Sequence, residues 1–179
     1  MIYNVAQLLK APVGTAQRVD LDPEDDLDLE DDRARLNGPV HGQVRLHRTN
    51  QGIFVDGVAE VPVELECTRC LTPFTETVSV PLRELFYPTI DVETGVPVPP
   101  PANDDLSYPV DHNHVLDLRE AIRQNLLLAL PMKTLCREDC PGLCPQCGKN
   151  LSEGPCDCVF EVEDDRFTSL RQLLAQPEA

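Results

Sequence analysis

The chain has 179 residues, of which 41% are hydrophobic and 4% are aromatic, and it contains no tryptophan. Fifteen Lys and Arg residues stand against 31 Asp and Glu residues, so the formal net charge is −16 at pH 7. A surface so negative repels phosphate backbones, which excludes a protein that coats nucleic acid by bulk charge, and the few aromatic residues argue against a stacking platform for single strands.

The length suits one domain, or one domain with a small appended module. No apolar run approaches the roughly 18 residues that span a bilayer. The first residues lack the charged segment and long apolar stretch of an export signal. We therefore expect a soluble, cytoplasmic protein without a membrane partner.

The N-terminal region combines a short predicted helix with an acidic segment. Residues 4–10 predict a helix capped by Asn4. Residues 20–32 then hold nine acidic residues and no basic one. We interpret this segment as a solvated acidic surface, and partner docking or RNA mimicry are the alternatives.

A basic stretch follows at residues 33–48, with four arginines, two histidines and no acid. Apolar and polar residues alternate over 40–47, which predicts a half-buried strand with one solvent-facing side. Basic side chains there, together with Arg69, are candidate RNA contacts on an otherwise repelling protein. The candidates are Arg33, Arg35, Arg45, Arg48 and Arg69. The competing interpretation is a solvated face paired with the acids of 20–32.

The alternation continues through residues 53–65 after a turn at 50–52, so residues 40–66 predict a hairpin. It resumes over residues 74–80, which places the intervening Cys67–Cys70 motif at the bend between two strands. Residues 88–113 carry six of the 17 prolines and predict an irregular loop.

One main helix is predicted next, over residues 115–130. Asp117 and Glu120 have the spacing of a capping box, one face is apolar, and Pro131 ends the helix. A second, C-terminal helix is predicted from the spacing of Phe167, Leu170, Leu173 and Leu174. We expect an α+β fold: an antiparallel sheet from residues 36–86 backed by the main helix, within a domain of residues 1–131, and a cysteine-rich zinc-binding module with its helix at 132–179, packed on that domain.

Eight cysteines carry the strongest chemical signal, and six of them lie within 136–158. Cytosolic thiols stay reduced, and pairs two residues apart direct two thiolates toward one point, as tetrahedral zinc requires. The candidate ligands are Cys67, Cys70, Cys136, Cys140, Cys144, Cys147, Cys156 and Cys158. They would hold one or two structural zinc ions.

Two groupings of these ligands are open. In the preferred scheme, the last four cysteines form one site, and Cys67 and Cys70 join Cys136 and Cys140 in another. In the alternative, Cys67 and Cys70 meet Cys144 and Cys147 in a single site. A four-thiolate site has no open position, so both schemes favour a structural rather than a catalytic metal.

Catalytic motifs are weak in this sequence. The string His112-Asn113-His114 lies in a polar loop, where such histidines are usually solvated, and the acids Asp104, Asp105 and Asp111 are more often surface than magnesium ligands. The chain has no phosphate-binding glycine loop and no nucleophile elbow. We expect no enzymatic activity and no small-molecule substrate.

The order of motifs is specific. It consists of LECTRCL at 65–71, an acidic proline-rich stretch, LALP at 128–131, CREDCPGLCPQCG at 136–148, and a closing pair at Cys156 and Cys158. This order resembles the bacterial and chloroplast YceD-like family of large ribosomal RNA subunit accumulation proteins, over about residues 6–174. The acidic segment 20–32 is not part of that resemblance.

The resemblance implies a non-enzymatic factor that supports accumulation or processing of 23S ribosomal RNA, and so biogenesis of the large subunit. Its partner would be precursor 23S RNA or a large-subunit ribosomal protein. The alternative hypothesis, from the cysteines themselves, is a redox sensor that releases zinc on oxidation and then exposes a binding surface.

Overall fold

The computed structural model describes residues 1–21, 27, 29, 34–101 and 107–158. Eight strands and two helices occur there. The strands are β1 (Ile2–Asn4), β2 (Ala16–Asp20), β3 (Ala34–Leu36), β4 (His41–Arg48), β5 (Ile53–Glu66), β6 (Pro73–Pro88), β7 (Tyr108–Val110) and β8 (Val115–Asp117). The helices are α1 (Ala6–Lys10) and α2 (Arg119–Ala129), and a 3₁₀ turn spans Leu151–Glu153.

Long antiparallel strands form the centre of the fold. β4 and β5 make the predicted hairpin, and β5 pairs with β6 along 14 residues, from Ile53 opposite Phe86 to Glu66 opposite Pro73. The alternation of side chains is also as expected, since Val44, Val55 and Leu82 are fully buried on one face. The Cys67–Cys70 motif lies at the bend between β5 and β6, at the tip of the sheet.

The sheet is mixed, which corrects the expectation of a purely antiparallel one. Its order is β2-β4-β5-β6-β7, with β3 also paired to β5, and β7 runs parallel to β6. Stacking of Tyr108 on Phe86, with ring centroids 5.2 Å apart, accompanies this pairing. A second, two-stranded sheet joins β1 to β8. The short strands β1, β2, β7 and β8 carry too few residues for alternation to reveal them.

The main helix begins later than predicted. Residues 115–117 are strand, because they pair with the N-terminus, and the predicted capping box does not form. Asp117 instead accepts a hydrogen bond from the Arg119 backbone N–H at 3.0 Å, while Glu120 pairs with Arg123 at 2.6 Å. The helix ends at Ala129, before Pro131, as expected.

The hydrophobic core lies between α2 and the inner face of the sheet. Ala121, Ile122 and Leu126 are fully buried on α2, which packs mainly on β6. Leu21 and Leu27 also reach this core, with 4% and 3% of their surfaces exposed. Two leucines of the acidic segment are thus buried, which differs from an entirely solvated interpretation.

Several predictions from the sequence lie outside the described residues. These are the C-terminal helix, Arg33, the acids Asp104 and Asp105, and all eight acidic residues between 22 and 32. Among the described helices, none is both long and apolar enough to cross a membrane.

Candidate metal centres

The first candidate centre, called here the first group, consists of Cys67, Cys70, Cys136 and Cys140. Their sulfur atoms all lie within 4.8 Å of one another. The sheet tip supplies the first two cysteines, and the segment after α2 supplies the others. Cys67, Cys70 and Cys140 are buried against Phe74, Leu135 and Leu143. This small apolar shell is separate from the main core.

The sulfur spacing fits a tetrahedral metal. Cys67 Sγ lies 3.8 Å from Cys140 Sγ, and Cys70 Sγ lies 3.7 Å from Cys136 Sγ. Zinc–sulfur bonds of about 2.3 Å at tetrahedral angles place sulfur atoms about 3.8 Å apart. A disulfide would require about 2.05 Å. The thiols are thus at chelating distance, and all eight cysteines are free.

The second group consists of Cys144, Cys147, Cys156 and Cys158, whose sulfur atoms also lie within 4.8 Å of one another. The structure therefore brings together the two sets of cysteines that the preferred scheme assigns to two separate sites. The second group is more open to solvent, because Cys147 is exposed and Cys156 and Cys158 are only partly buried.

Both groups are built on the same backbone turn. In the first, the Leu71 N–H donates to the Cys67 carbonyl at 2.8 Å, and the Cys67 N–H donates to the Thr72 carbonyl at 3.1 Å. In the second, the Gly148 N–H donates to the Cys144 carbonyl at 2.9 Å, and the Cys144 N–H donates to the Lys149 carbonyl at 2.8 Å. Each turn folds its two thiols to one side.

The turns differ in the residue after the second cysteine, where the backbone is left-handed. Gly148 has φ +72° there, a conformation that costs glycine nothing, whereas Leu71 has φ +57°. A leucine in that region is strained by about 1 kcal/mol or more. Leu71 is also 55% exposed and lines, with Leu130 and Met132, a groove of about 430 Å³.

The thiols of each group influence one another's ionisation. Backbone N–H groups lower the pKa of Cys67 and of Cys144 to about 6. Burial raises the pKa of Cys136 to about 12, and the neighbouring thiol of Cys147 raises that of Cys158 to about 12. One thiolate thus forms readily in each group, and further negative charge there requires a compensating cation. A divalent metal would supply that charge.

Hydrogen bonds connect the two groups. Arg69, inside the first turn, donates from Nη1 to the Cys140 carbonyl at 2.8 Å, and its own carbonyl accepts from the Leu143 N–H at 3.1 Å. Thr68 donates its N–H and its hydroxyl to the Thr134 carbonyl, both at 2.9 Å. The sheet tip is therefore joined to the cysteine-rich segment by hydrogen bonds as well as by the thiols of the first group.

The candidate RNA contacts are not all together. Arg35 and Arg45 are exposed on the outer face of the sheet, the face opposite Val44 and Val55. Arg48 is on the inner side and donates to the carbonyls of Leu9, Thr49 and Gly52. Arg69 belongs to the first cysteine turn, as described above. RNA contact by these side chains stays a prediction.

Two exposed arginines on the outer face were not singled out from the sequence. Arg18 on β2 is directly opposite Arg45, and Arg83 on β6 is directly opposite Asp56. Strand register places each of these arginines opposite its partner residue, and the only sequence signal for Arg83 is the alternation of β6.

The histidine-containing loop is a turn. Asp111 Oδ1 accepts from the backbone N–H groups of Asn113 and Val115, at 2.8 and 2.7 Å, and the His114 N–H donates to the Asp111 carbonyl at 3.0 Å. His114 adopts φ +59° there. These contacts organise the loop before β8, in agreement with a structural interpretation of these residues.

Comparisons with known proteins converge on one family. A family model described as large ribosomal RNA subunit accumulation protein YceD matches residues 55–174. Uncharacterized proteins of Mycobacterium tuberculosis and Mycobacterium bovis are 36% identical over 137 residues, which is 76% of this chain and 62% of theirs. The chain thus spans 62% of the length of these curated relatives.

A plant protein is also similar. Large ribosomal RNA subunit accumulation protein YCED homolog 1, chloroplastic, of Arabidopsis thaliana is 26% identical over 159 residues, covering 77% of this chain and 49% of its own. No solved structure matches. The matched family region contains both the sheet tip and the cysteine-rich segment.

Proposed function

Because the chain belongs to the YceD family of large ribosomal RNA subunit accumulation proteins, we propose that it supports accumulation of 23S ribosomal RNA during large-subunit biogenesis. The family match over residues 55–174 is the observation that carries this proposal. The site of action would be the cytoplasm. The partner would be precursor 23S RNA or a large-subunit ribosomal protein.

The proposed metal is structural zinc, one ion in each group. Four thiols at chelating distance form a complete ligand set, without an open position for water or substrate. The ligands of the first group would join the sheet tip to a segment 66 or more residues further along the chain. Such a cross-link stabilises an arrangement that a small apolar shell alone would hold weakly. The closed ligand set supports a non-enzymatic role. The cross-link supports the packing of a cysteine-rich module at 132–179 on a sheet domain at 1–131.

The acidic surface bears on the choice of partner. A chain of net charge −16 attracts basic proteins and repels bare RNA, except where basic side chains cluster. A basic ribosomal protein is therefore a partner of matching charge, and RNA requires a local basic face.

A second candidate function is supported by the accessibility of the second group. Cys147 is exposed, and Cys156 and Cys158 are partly so, which suits a thiolate site that oxidants reach. A redox sensor would release zinc reversibly under mild peroxide, whereas a structural site would keep its metal.

The proposed function is tested by the ratio of 23S to 16S ribosomal RNA in cells depleted of this protein. We expect the ratio to fall, and to be restored by the intact chain and by the surface variant Arg137→Gln. The double variant Cys67→Ser, Cys70→Ser should fail to restore it at equal protein abundance. An unchanged ratio after depletion would overturn the proposal and favour the redox alternative.

A further inference from the structure

The register of the sheet aligns four charged residues in one row across its outer face. Arg18 on β2 is opposite Arg45 on β4, Arg45 is opposite Asp56 on β5, and Asp56 is opposite Arg83 on β6. Neighbouring strands are about 4.8 Å apart, so the row extends about 14 Å. We call these four residues the arginine row.

The row carries an uncompensated positive charge. Asp56 pairs with Arg83, at 3.6 Å between Oδ1 and Nε, in an exposed ion pair. Within the described part of the chain, no acid forms an ion pair with Arg18 or Arg45. The row therefore has a net charge of +2 on a protein of −16. Arg18 and Arg45 face each other across a strand pair.

Facing arginines are unfavourable in a free sheet, because like charges directly opposite each other repel. An anion bound between them removes that repulsion.

An aromatic side chain lies beside the row. The next row on the outer face lies two residues from the arginine row, toward the β4–β5 turn. It consists of His47, Phe54 and Leu85, which are opposite one another and each partly exposed. Phosphate-binding arginines next to an exposed ring are the elements that recognise single-stranded RNA, whose bases are free to stack. A duplex keeps its bases paired inside the helix, and a polyglutamate peptide has no base, so neither would stack on the ring in this way.

The remainder of this face limits where RNA can bind. Toward the sheet tip, Asp20 lies two residues from Arg18 on β2, and β5 presents the exposed residues Glu60, Glu64 and Glu66. These carboxylates repel phosphates, so binding is confined to the end of the sheet near the β4–β5 turn. Arg35 lies at the acidic end, opposite Glu64.

We propose that the arginine row and Phe54 form a binding surface for a single-stranded RNA segment, with phosphates on Arg18 and Arg45 and one base stacked on Phe54. That the RNA is ribosomal rests on the proposed function. The surface differs from the candidate set inferred from sequence, because it omits Arg35, Arg48 and Arg69 and includes Arg18 and Arg83.

Binding of the full chain to a fluorescently labelled 12-nucleotide single-stranded RNA, followed by anisotropy at 50 and 150 mM KCl, tests this proposal. Each lost phosphate contact lowers the slope of log affinity against log salt by about 0.7. Arg18→Gln and Arg45→Gln should each do so, and Arg45→Lys should retain most of the affinity. Arg137→Gln, an equal charge change at an exposed position away from this face, should leave affinity and slope unchanged.

The stacking contribution is tested separately with Phe54→Leu. This variant should lose at least about fivefold in affinity without a change in salt slope, because it removes a ring and no charge. All four positions have solvent-accessible side chains, and circular dichroism would verify that the variants fold.

Two binding results would overturn the proposal. One is an affinity within twofold of the intact chain for both Arg18→Gln and Arg45→Gln. The other is equal binding of a polyglutamate peptide, which would assign the row to acidic protein instead. Rescue of the ribosomal RNA ratio by a chain carrying Arg18→Gln and Arg45→Gln would refute this surface while leaving the proposed function intact. Failure of the intact chain to rescue would refute the proposed function itself.

Discussion

Gly142 lies at the contact between the two cysteine groups, and replacing it with alanine perturbs that contact without removing a thiol. Its φ is +79°, and an added Cβ would lie 3.0 Å from the Arg69 carbonyl oxygen and 3.4 Å from Arg69 Cβ. The next residue, Leu143, donates its N–H to the same carbonyl. Gly142→Ala therefore introduces backbone strain and also pushes the loop away from its hydrogen-bond partner.

Gly148→Ala is the matched control. Its φ of +72° imposes nearly the same left-handed strain, but an added Cβ there meets nothing within 4 Å. Strain costs about 1 kcal/mol at either position. Weakening of the Leu143 hydrogen bond adds about 1 kcal/mol for Gly142→Ala alone. The two variants should thus differ by about 1 kcal/mol, which is about fivefold in an opening equilibrium.

Amide hydrogen exchange of Leu143, in the full chain with zinc present, measures this difference. Protection should fall about fivefold further in Gly142→Ala than in Gly148→Ala. Equal losses in the two variants, or a larger loss in Gly148→Ala, would refute the reasoning that the Arg69–Leu143 contact joins the groups.

Three further predictions concern metal, pH and core packing. A competing chelator should remove one metal equivalent quickly and the other slowly, since the second group is more exposed, and native mass spectrometry would show a one-metal intermediate; simultaneous loss would contradict this. In the metal-free chain, thiolate absorbance should begin to rise near pH 6, because the pKa values of Cys67 and Cys144 are lowered to about 6 from 9.0. These thiols ionise more easily in the folded chain than in the unfolded chain, so the free energy of unfolding should rise from pH 6 to pH 9. A single absorbance step at pH 9 would be inconsistent with the structure. Ile122→Ala, at a fully buried position on α2, should lower the free energy of unfolding measured by urea titration by about 2–5 kcal/mol. Leu128→Ala, at an 84% exposed position, should change it by about 0.5 kcal/mol or less.

Local periodicity predicted the centre of the fold well. The β4–β5 hairpin and β6 alternate between buried and more exposed residues over much of their length, so these elements could be predicted from the sequence. β8 was not, because Val115–Asp117 is a strand only through its pairing with Ile2–Asn4, more than 110 residues away. Pairing between distant segments leaves little local pattern.

The same distinction applies to the candidate sites. The cysteine spacing is local chemistry, and the preferred grouping matches the two sulfur clusters. The arginine row depends on register across four strands, and no spacing along the chain places Arg18 next to Arg45. Arg48 illustrates the converse, since it is the last residue of the basic strand β4 but its guanidinium donates to backbone carbonyls on the inner side of the sheet.

The central structural claim is that each four-thiol group holds one zinc ion, and counting metal ions per chain by native mass spectrometry tests it most directly. The gently purified intact chain should carry two zinc ions. The double variants Cys67→Ser, Cys70→Ser and Cys144→Ser, Cys147→Ser should each carry one. An intact chain without metal, or one whose metal count is unchanged in both double variants, would contradict the account.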